Sequence, residues 1–445
     1  MKIGIVVHGP NIIDSGYASK IINILQDFGE VHCRLGGTMG RTAVIDASLE
    51  NLIDISAKRL PSESVKLFLG DGVGVIVLLN YGKSSVTGHA FGYKVFKNSY
   101  DEYLIKNKNN IKLIDFIQIE RPGELDGTII HWAGKNNDLV SKLAKFLDLN
   151  ILKGEEVEDK YFADYSEGFK NKSLEKIRNI HGVSPDENIF VNGIVIGKSK
   201  SDNLSLVCKD GEIIDIIGGE IKPHGVEKLG IVDIDKAIVK TGLLRKANPK
   251  PRILDDVDNK MKGIVDVGIG INNVDNVNND SKVNKYNKVN KFNKSNKANI
   301  DNKNYLNVAF IDHAAEDIYS LKNFDLAITI GDDTTLVASD ILYRFNIPVI
   351  GITDGDLDKV VEKGYVADGS TIIELKPGFD DIVGNSIFEN LFNSKYYLKL
   401  PIEMGKDYSS ENNDYYKNIK SKIFEDFKSD VFKIVNNITR EYKIK

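Results

Sequence analysis

Residues 307–358 read NVAFIDHAAEDIYSLKNFDLAITIGDDTTLVASDILYRFNIPVIGITDGDLD, and this stretch decides the fold. It holds three short apolar runs, each followed at once by acid. Asn307 to Ile311 runs into Asp312, Leu326 to Ile330 into Asp332 and Asp333, and Val349 to Ile352 into Asp354 and Asp356. The segments between them carry helical spacing, so the pattern is strand, helix, strand, helix, strand. Strands joined this way lie parallel, with their carboxyl ends along one edge, where ligands of open α/β sheets bind. The acids are expected to converge there. Carboxylates gathered in a crevice repel one another unless a cation or a proton neutralises them. Magnesium (Mg2+) carrying a phosphorylated ligand is the simplest expectation.

Within this edge, Gly331 ends a strand and Asp332, Asp333, Thr334 and Thr335 turn into a helix. Thr334 or Thr335 is expected to cap that helix, whose first N–H groups favour phosphate. Asp333 or Asp332 is the candidate to hold a magnesium ion or orient a nucleophile. Asp354, Asp356 and Asp312 are the candidate metal ligands, with Gly355 letting the backbone come close. Acids at strand ends also cap helices and solubilise edges, but three successive strand ends favour a site.

The chain has 445 residues and 42% hydrophobic content, enough for more than one core. Its 59 basic and 64 acidic residues give a net charge of -5, so bulk electrostatics supply no reason to expect nucleic-acid binding. Cys33 and Cys208 lack metal-ligand spacing. The N-terminal run MKIGIVVHGP is too short for a signal peptide and Val73 to Leu79 too short to span a bilayer, so a cytoplasmic protein is expected.

Read from the start, Lys2 to Val7 is a strand ending at His8-Gly9-Pro10, and a helix follows with Asp14 or Ser15 as its cap. Glu30 to Leu35 is a second strand, leading into Gly36-Gly37-Thr38-Met39-Gly40-Arg41-Thr42 and a helix from about Ala43. Val73 to Leu79, Ile111 to Ile119 and Thr128 to Trp132 continue a sheet. An α/β domain therefore covers about 1–180. Glycines between strand and helix let N–H groups approach an anion, so Gly36, Gly37, Thr38, Gly40, Arg41 and Thr42 form a second candidate phosphate loop. Gly82-Lys83-Ser84 lacks the leading glycine of a phosphate-binding loop, since Val77 stands there. His8 is kept as a candidate for its place past a strand end; His89 and His131 are isolated and read as packing residues.

Asp148 to Asn179 reads as a polar, helical connector. Val- and Ile-rich runs then surround Lys209-Asp210-Gly211-Glu212, a hairpin signal, and a small β module is expected over 185–225. Pro223-His224-Gly225 reads as a turn, Ile234 to Val239 as a helix-like run, and Lys240, Arg245 and Lys246 as a basic cluster, solvated or facing phosphate. A second α/β domain covers 226–271 and 305–400, with a strand at Ile264 to Val267. Between its parts, residues 272–304 carry five x-Asn-Lys triplets and read as a disordered insertion. Tyr416, Ile419, Ile423, Phe427, Val431, Ile434 and Ile438 outline an amphipathic helix over 412–443, expected to pack on the body, with a homodimer contact as the alternative.

Residues 325–359 resemble the NAD kinase, diacylglycerol kinase and phosphofructokinase group, in which a strand leads into a GGDGT-type motif. Gly331, Asp333 and Thr335 match it, while Asp332 and Thr334 replace glycines that admit nucleotide phosphate. Asp354 and Asp356 also resemble the Asp-x-Asp pair of the Toprim domain, whose glutamate has only Glu316 as a counterpart. Across most of the chain, HGPNIIDSG, GGTMGRTAVIDA, IDHAAED and GDDTT…GITDGD look like an archaeal family of methanogens known as domain of unknown function 2117, a resemblance that implies no activity. The reading is an α/β protein of two parallel-sheet, Rossmann-like domains. Its expected function is that of a magnesium-dependent phosphate- or nucleotide-binding enzyme performing phosphoryl transfer or phosphate-ester chemistry. The alternative is a non-catalytic nucleotide- or coenzyme-binding regulator. The partner is a small phosphorylated molecule; neither membrane nor nucleic acid is expected.

Overall fold

The computed structural model describes residues 1–101, 103–104, 114–162, 175–254, 305–312, 317–358, 360–361, 363–402 and 413–445. The expected strand at Ile264 to Val267, the Asn/Lys-rich segment and Glu316 lie outside them. The chain forms two compact units, Met1–Arg252 with Lys359–Glu362, and Ile253–Asp358 with Lys363–Lys445. Among the described residues no helix is long and apolar enough to cross a membrane.

The first unit is built on β1 (Lys2–His8), β2 (Glu30–Gly36), β3 (Ile53–Asp54), β4 (Val75–Asn80), β5 (Asp115–Glu120), β6 (Thr128–Ala133) and β7 (Asn150–Lys153). They form one sheet in the order β3-β2-β1-β4-β5-β6-β7. β4 is buried at every position, as in a sheet covered by helices on both faces. The chain leaves β1 towards β2 and β3 on one side, then returns to β4 on the other, so the direction of winding reverses between β1 and β4. The sheet is not wholly parallel as expected. β6 runs antiparallel to β5, because the short connection from Arg121 to Gly127 cannot make the long crossover that parallel strands need.

The first helix after β1 also differs from expectation. It splits into Asn11–Asp14 and Tyr17–Gln26, separated by Gly16 at φ 79. Neither acid nor serine caps the second piece. The Ser15 hydroxyl donates back to the Ile12 carbonyl, and Asp14 pairs with Arg245.

The β module lies within the first unit and is larger than expected. β8 (Glu175–Ile180), β11 (Leu204–Lys209) and β12 (Glu212–Ile217) form one antiparallel sheet. β9 (Asn188–Val191), β10 (Ile194–Ser199), β13 (Gly219–Ile221) and β14 (Val239–Thr241) form the other. Asp210 and Gly211, at φ 52 and 89, make the expected tight turn, and Asn192-Gly193, at φ 51 and 88, makes a second. Pro223-His224-Gly225 opens a helix, Pro223–Leu229, rather than a turn, because proline's missing N–H is harmless in the first helical turn. The run from Ile234 is a turn that delivers the chain into β14 rather than a helix.

The second unit has β15 (Tyr305–Ile311), β16 (Leu326–Ile330), β17 (Val349–Thr353), β18 (Thr371–Glu374), β19 (Tyr397–Pro401) and β20 (Lys443–Ile444), ordered β19-β15-β16-β17-β18-β20. The four inner strands are parallel and succeed one another in chain order, while both edge strands are antiparallel. Val308, Phe310, Ile328, Ile330, Ile350 and Ile352 meet Val383 and Ile387 of helix Phe379–Asn390 in one core. Helix Asn413–Ile438 adds Phe427, Val431 and Val435 to that core, so it packs on its own unit. Burying each such side chain contributes about 1.5–3 kcal/mol.

Candidate functional site

Three parallel strands of the second unit end beside one another: β15 before Asp312, β16 before Gly331 and β17 before Asp354. Gly331 sits at φ 90 and ψ 152, a backbone that only glycine adopts readily, and this turns the chain sharply into helix Asp332–Tyr343. Asp332 is thereby aimed at the loop after β17. Its Oδ2 accepts the N–H groups of both Asp354 and Gly355, each at 2.9 Å, while Gly355 takes φ 88 to let the backbone close around it.

Asp354 in turn accepts the N–H of Gly378 through Oδ2 at 2.5 Å. Its Oδ1 is buried and has no hydrogen-bond partner. A buried oxygen of this kind costs about 1–3 kcal/mol unless something answers it. Asp332, Asp354 and Asp356 offer carboxylate oxygens that all lie within 4.8 Å of one another. A fourth acid completes the surroundings. Asp380, in the first turn of helix Phe379–Asn390, is 9% exposed, and burial, then the neighbouring Asp354, Asp381 and Asp356, push its carboxyl up to about 6.

The sequence-chosen residues thus separate. Asp332, Asp354 and Asp356 come together, with Gly331 as their hinge. Asp333 points elsewhere, its Oδ2 accepting the Asp358 N–H at 3.2 Å, and Asp312 is outside the trio. Thr334 and Thr335 are buried rather than capping, because the helix begins two residues earlier and Gly331 takes the cap position. The Thr335 hydroxyl bonds to that of Thr329 at 2.8 Å, beneath the helix. Asp380 escaped the sequence reading, although Gly378-Phe379-Asp380-Asp381 repeats, after β18, the same signal of a strand followed by acids.

The glycine loop of the first unit is largely closed on itself. Gly37, at φ 90, donates its N–H to the Arg59 carbonyl at 2.7 Å, and Arg41 donates its own to Thr38 at 3.1 Å. The Arg41 side chain is 4% exposed, with Nε on the Ile55 carbonyl, so it braces the interior. Gly36 ends β2, Gly40 precedes the short helix Arg41–Asp46, and the Thr42 hydroxyl faces the Arg245 guanidinium at 3.5 Å. Of the histidines, His89 bonds to Thr128 and His131 lies beside Asp115, both as packing residues, whereas His8 belongs to a longer polar chain taken up below.

Fold and edge together define an α/β protein with sheets containing parallel strands and an acidic cluster at the carboxyl edge of one of them. The chain belongs to the family described as uncharacterized proteins conserved in archaea (DUF2117), which matches residues 5–395. It is 41% identical over 421 residues to an uncharacterized protein of Methanocaldococcus jannaschii, covering 93% of this chain and 98% of that one. No solved structure matches the chain.

Proposed function

We propose that the carboxyl edge of the second sheet binds a divalent cation, Mg2+, together with a small phosphorylated molecule or nucleotide, and that the protein is an enzyme of phosphoryl transfer or phosphate-ester chemistry. The observation that carries this is the buried, unpartnered Oδ1 of Asp354 within the trio of Asp332, Asp354 and Asp356. Hard oxygen donors in this number suit magnesium, which is held through one or two carboxylates plus phosphate oxygens. When bound, the cation neutralises phosphate charge. Asp354 and Asp356 supply the donors, Asp332 holds the loop that presents them, and Asp380 gains a neighbouring positive charge that relieves its burial. The local likeness to the kinase group contributes Gly331 as the hinge and leaves the phosphate contacts to backbone N–H groups of the first turn.

One observation favours the non-catalytic reading, a nucleotide- or coenzyme-binding regulator. Asp332, one of the two residues expected to orient a nucleophile, already accepts two backbone N–H groups and is built into the loop. Calorimetric titration with Mg2+, in the presence and absence of a nucleotide panel, tests the site itself. Wild type is expected to bind and Asp354→Asn to bind at least ~10-fold more weakly, a difference of about 1.4 kcal/mol. Equal binding by folded Asp354→Asn, or none by wild type under any condition, refutes the proposal. Turnover of any bound phosphorylated compound then separates enzyme from regulator.

A further inference from the structure

The reversal of strand order between β1 and β4 is the place where open α/β sheets form a crevice at their carboxyl ends. Here β1 ends at His8 and β4 at Asn80, and the two side chains bond across the junction, His8 Nδ1 to Asn80 Oδ1 at 2.8 Å. The chain continues inwards. Asn80 Nδ2 donates to Glu120 Oε2 at 2.7 Å, Gln118 Nε2 donates to the same oxygen at 2.8 Å, and Trp132 Nε1 donates to Gln118 Oε1 at 3.0 Å. Glu120 Oε1 accepts the Gly82 N–H at 2.6 Å.

This chain has a direction. Burial pushes the Glu120 carboxyl up to about 7; in its ionised form it only accepts, so Asn80 then presents its NH2 to Glu120 and its oxygen to His8. His8 must then carry its proton on Nδ1, which leaves the Nε2 lone pair as an acceptor. Phe91 stacks on the ring with centroids 4.0 Å apart and fixes its plane. Among the described residues Nε2 has no hydrogen-bond partner.

Cations gather at the same edge, and their partners differ. Arg245 is answered by Asp14 at 2.5 Å and Asp46 at 2.7 Å, and Lys83 by Glu187 at 2.5 Å and the Thr241 hydroxyl at 2.6 Å. These pairs fasten the segment after β14 to the helices that follow β1 and β2, and the loop after β4 to Glu187 and the end of β14. Lys240, half-buried on β14, donates to the Leu244 carbonyl, and Lys246 is exposed. Among the described residues neither has a carboxylate in ion-pair range. Burial, with Lys83 and Lys246 adding repulsion, pulls Lys240 down to about 7, and burial together with Lys240 outweighs the Asn80 bond to hold His8 near 4. Both groups gain from a nearby negative charge.

We infer that this edge of the first sheet is a second binding site, for a small anion that carries a phosphate or carboxylate beside a hydrogen-bond donor. Lys240 and Lys246 receive the anion, and His8 Nε2 accepts from the donor. The residues that carry it all belong to the first unit, and the inference does not rest on the function proposed for the acidic edge.

The experiment is titration of the whole chain with pyrophosphate and, separately, with citrate, after divalent cations have been removed on a chelating resin so that no Mg2+ remains at the acidic edge. Saturation by one of the two is expected, and which one binds tells phosphate from carboxylate. Lys240→Met should weaken that binding at least ~10-fold, as against little change for Lys209→Gln on the β module. Histidine NMR gives an independent readout: the His8 titration midpoint should rise on anion binding and in Lys240→Met. If Lys240→Met does not fold, Lys240→Arg should retain binding and Lys246→Gln should weaken it. Failure of both anions to bind wild type, unchanged affinity in Lys240→Met, or an unmoved His8 midpoint would overturn the site.

Discussion

Asp380 shows what a single carboxyl can report. Its folded-state value, about 6, lies above the ordinary 3.8, so the stability tied to its protonated form is complete below about pH 4 and is lost as pH rises through 6. Asp380→Asn should remove that slope and raise stability at pH 7 by on the order of 1–2 kcal/mol, read from urea midpoints at pH 4 and 7. An unchanged slope would show that the acid is solvated. Gly331→Ala, at φ 90, should cost about 1–3 kcal/mol in the same assay. At this scale the sequence was half legible. Strand-end acids were visible, but which of Asp332 and Asp333 faces the loop depends on where the helix starts, since successive residues turn by about 100°. Asp380 was hidden because five residues, Leu375 to Phe379, separate it from its strand.

Elements were legible wherever period and connection length agreed. The inner strands of both sheets follow their apolar runs, and the terminal helix follows its spacing, although Val435 rather than Ile434 reaches the centre of the core. The antiparallel turn of β6 was readable in principle from its short connection. The approach of helix Ser85–Phe96 to β5 was not, because it rests on two glycines. A methyl group at Gly88 would lie 2.0 Å from the Glu120 carboxyl carbon, and one at Gly92 would lie 1.6 Å from Gln118 Oε1. Gly88→Ala should therefore cost about 3 kcal/mol or prevent folding, measured by thermal unfolding, because both groups are anchored in the core. Phe427→Ala, which empties the contact between the terminal helix and its sheet, should cost about 3–5 kcal/mol.

Over the whole molecule, the two units carry different sheet logics. The first winds both ways from β1, while the inner strands of the second proceed in chain order. Strand order depends on which strand each crossover reaches, a tertiary choice that composition does not encode, so the junction of β1 and β4 at His8 could not be read from local pattern. Linkage gives the corresponding test. A ligand at 100 times its dissociation constant stabilises by about 2.7 kcal/mol. Mg2+ should raise the melting temperature of wild type and Lys240→Met but not of Asp354→Asn, and the favoured anion should show the opposite dependence.

The double acceptance at Asp332 allows scaffold and charge to be taken apart. An asparagine there keeps an oxygen that can receive the N–H groups of Asp354 and Gly355, yet removes the negative charge; an alanine removes both. The loop is thus wound on a peg whose shape and whose electrostatics are separately exchangeable. If Asp332→Asn melts like wild type but loses cation affinity, while Asp332→Ala also unfolds earlier, position 332 has two duties held by one carboxylate.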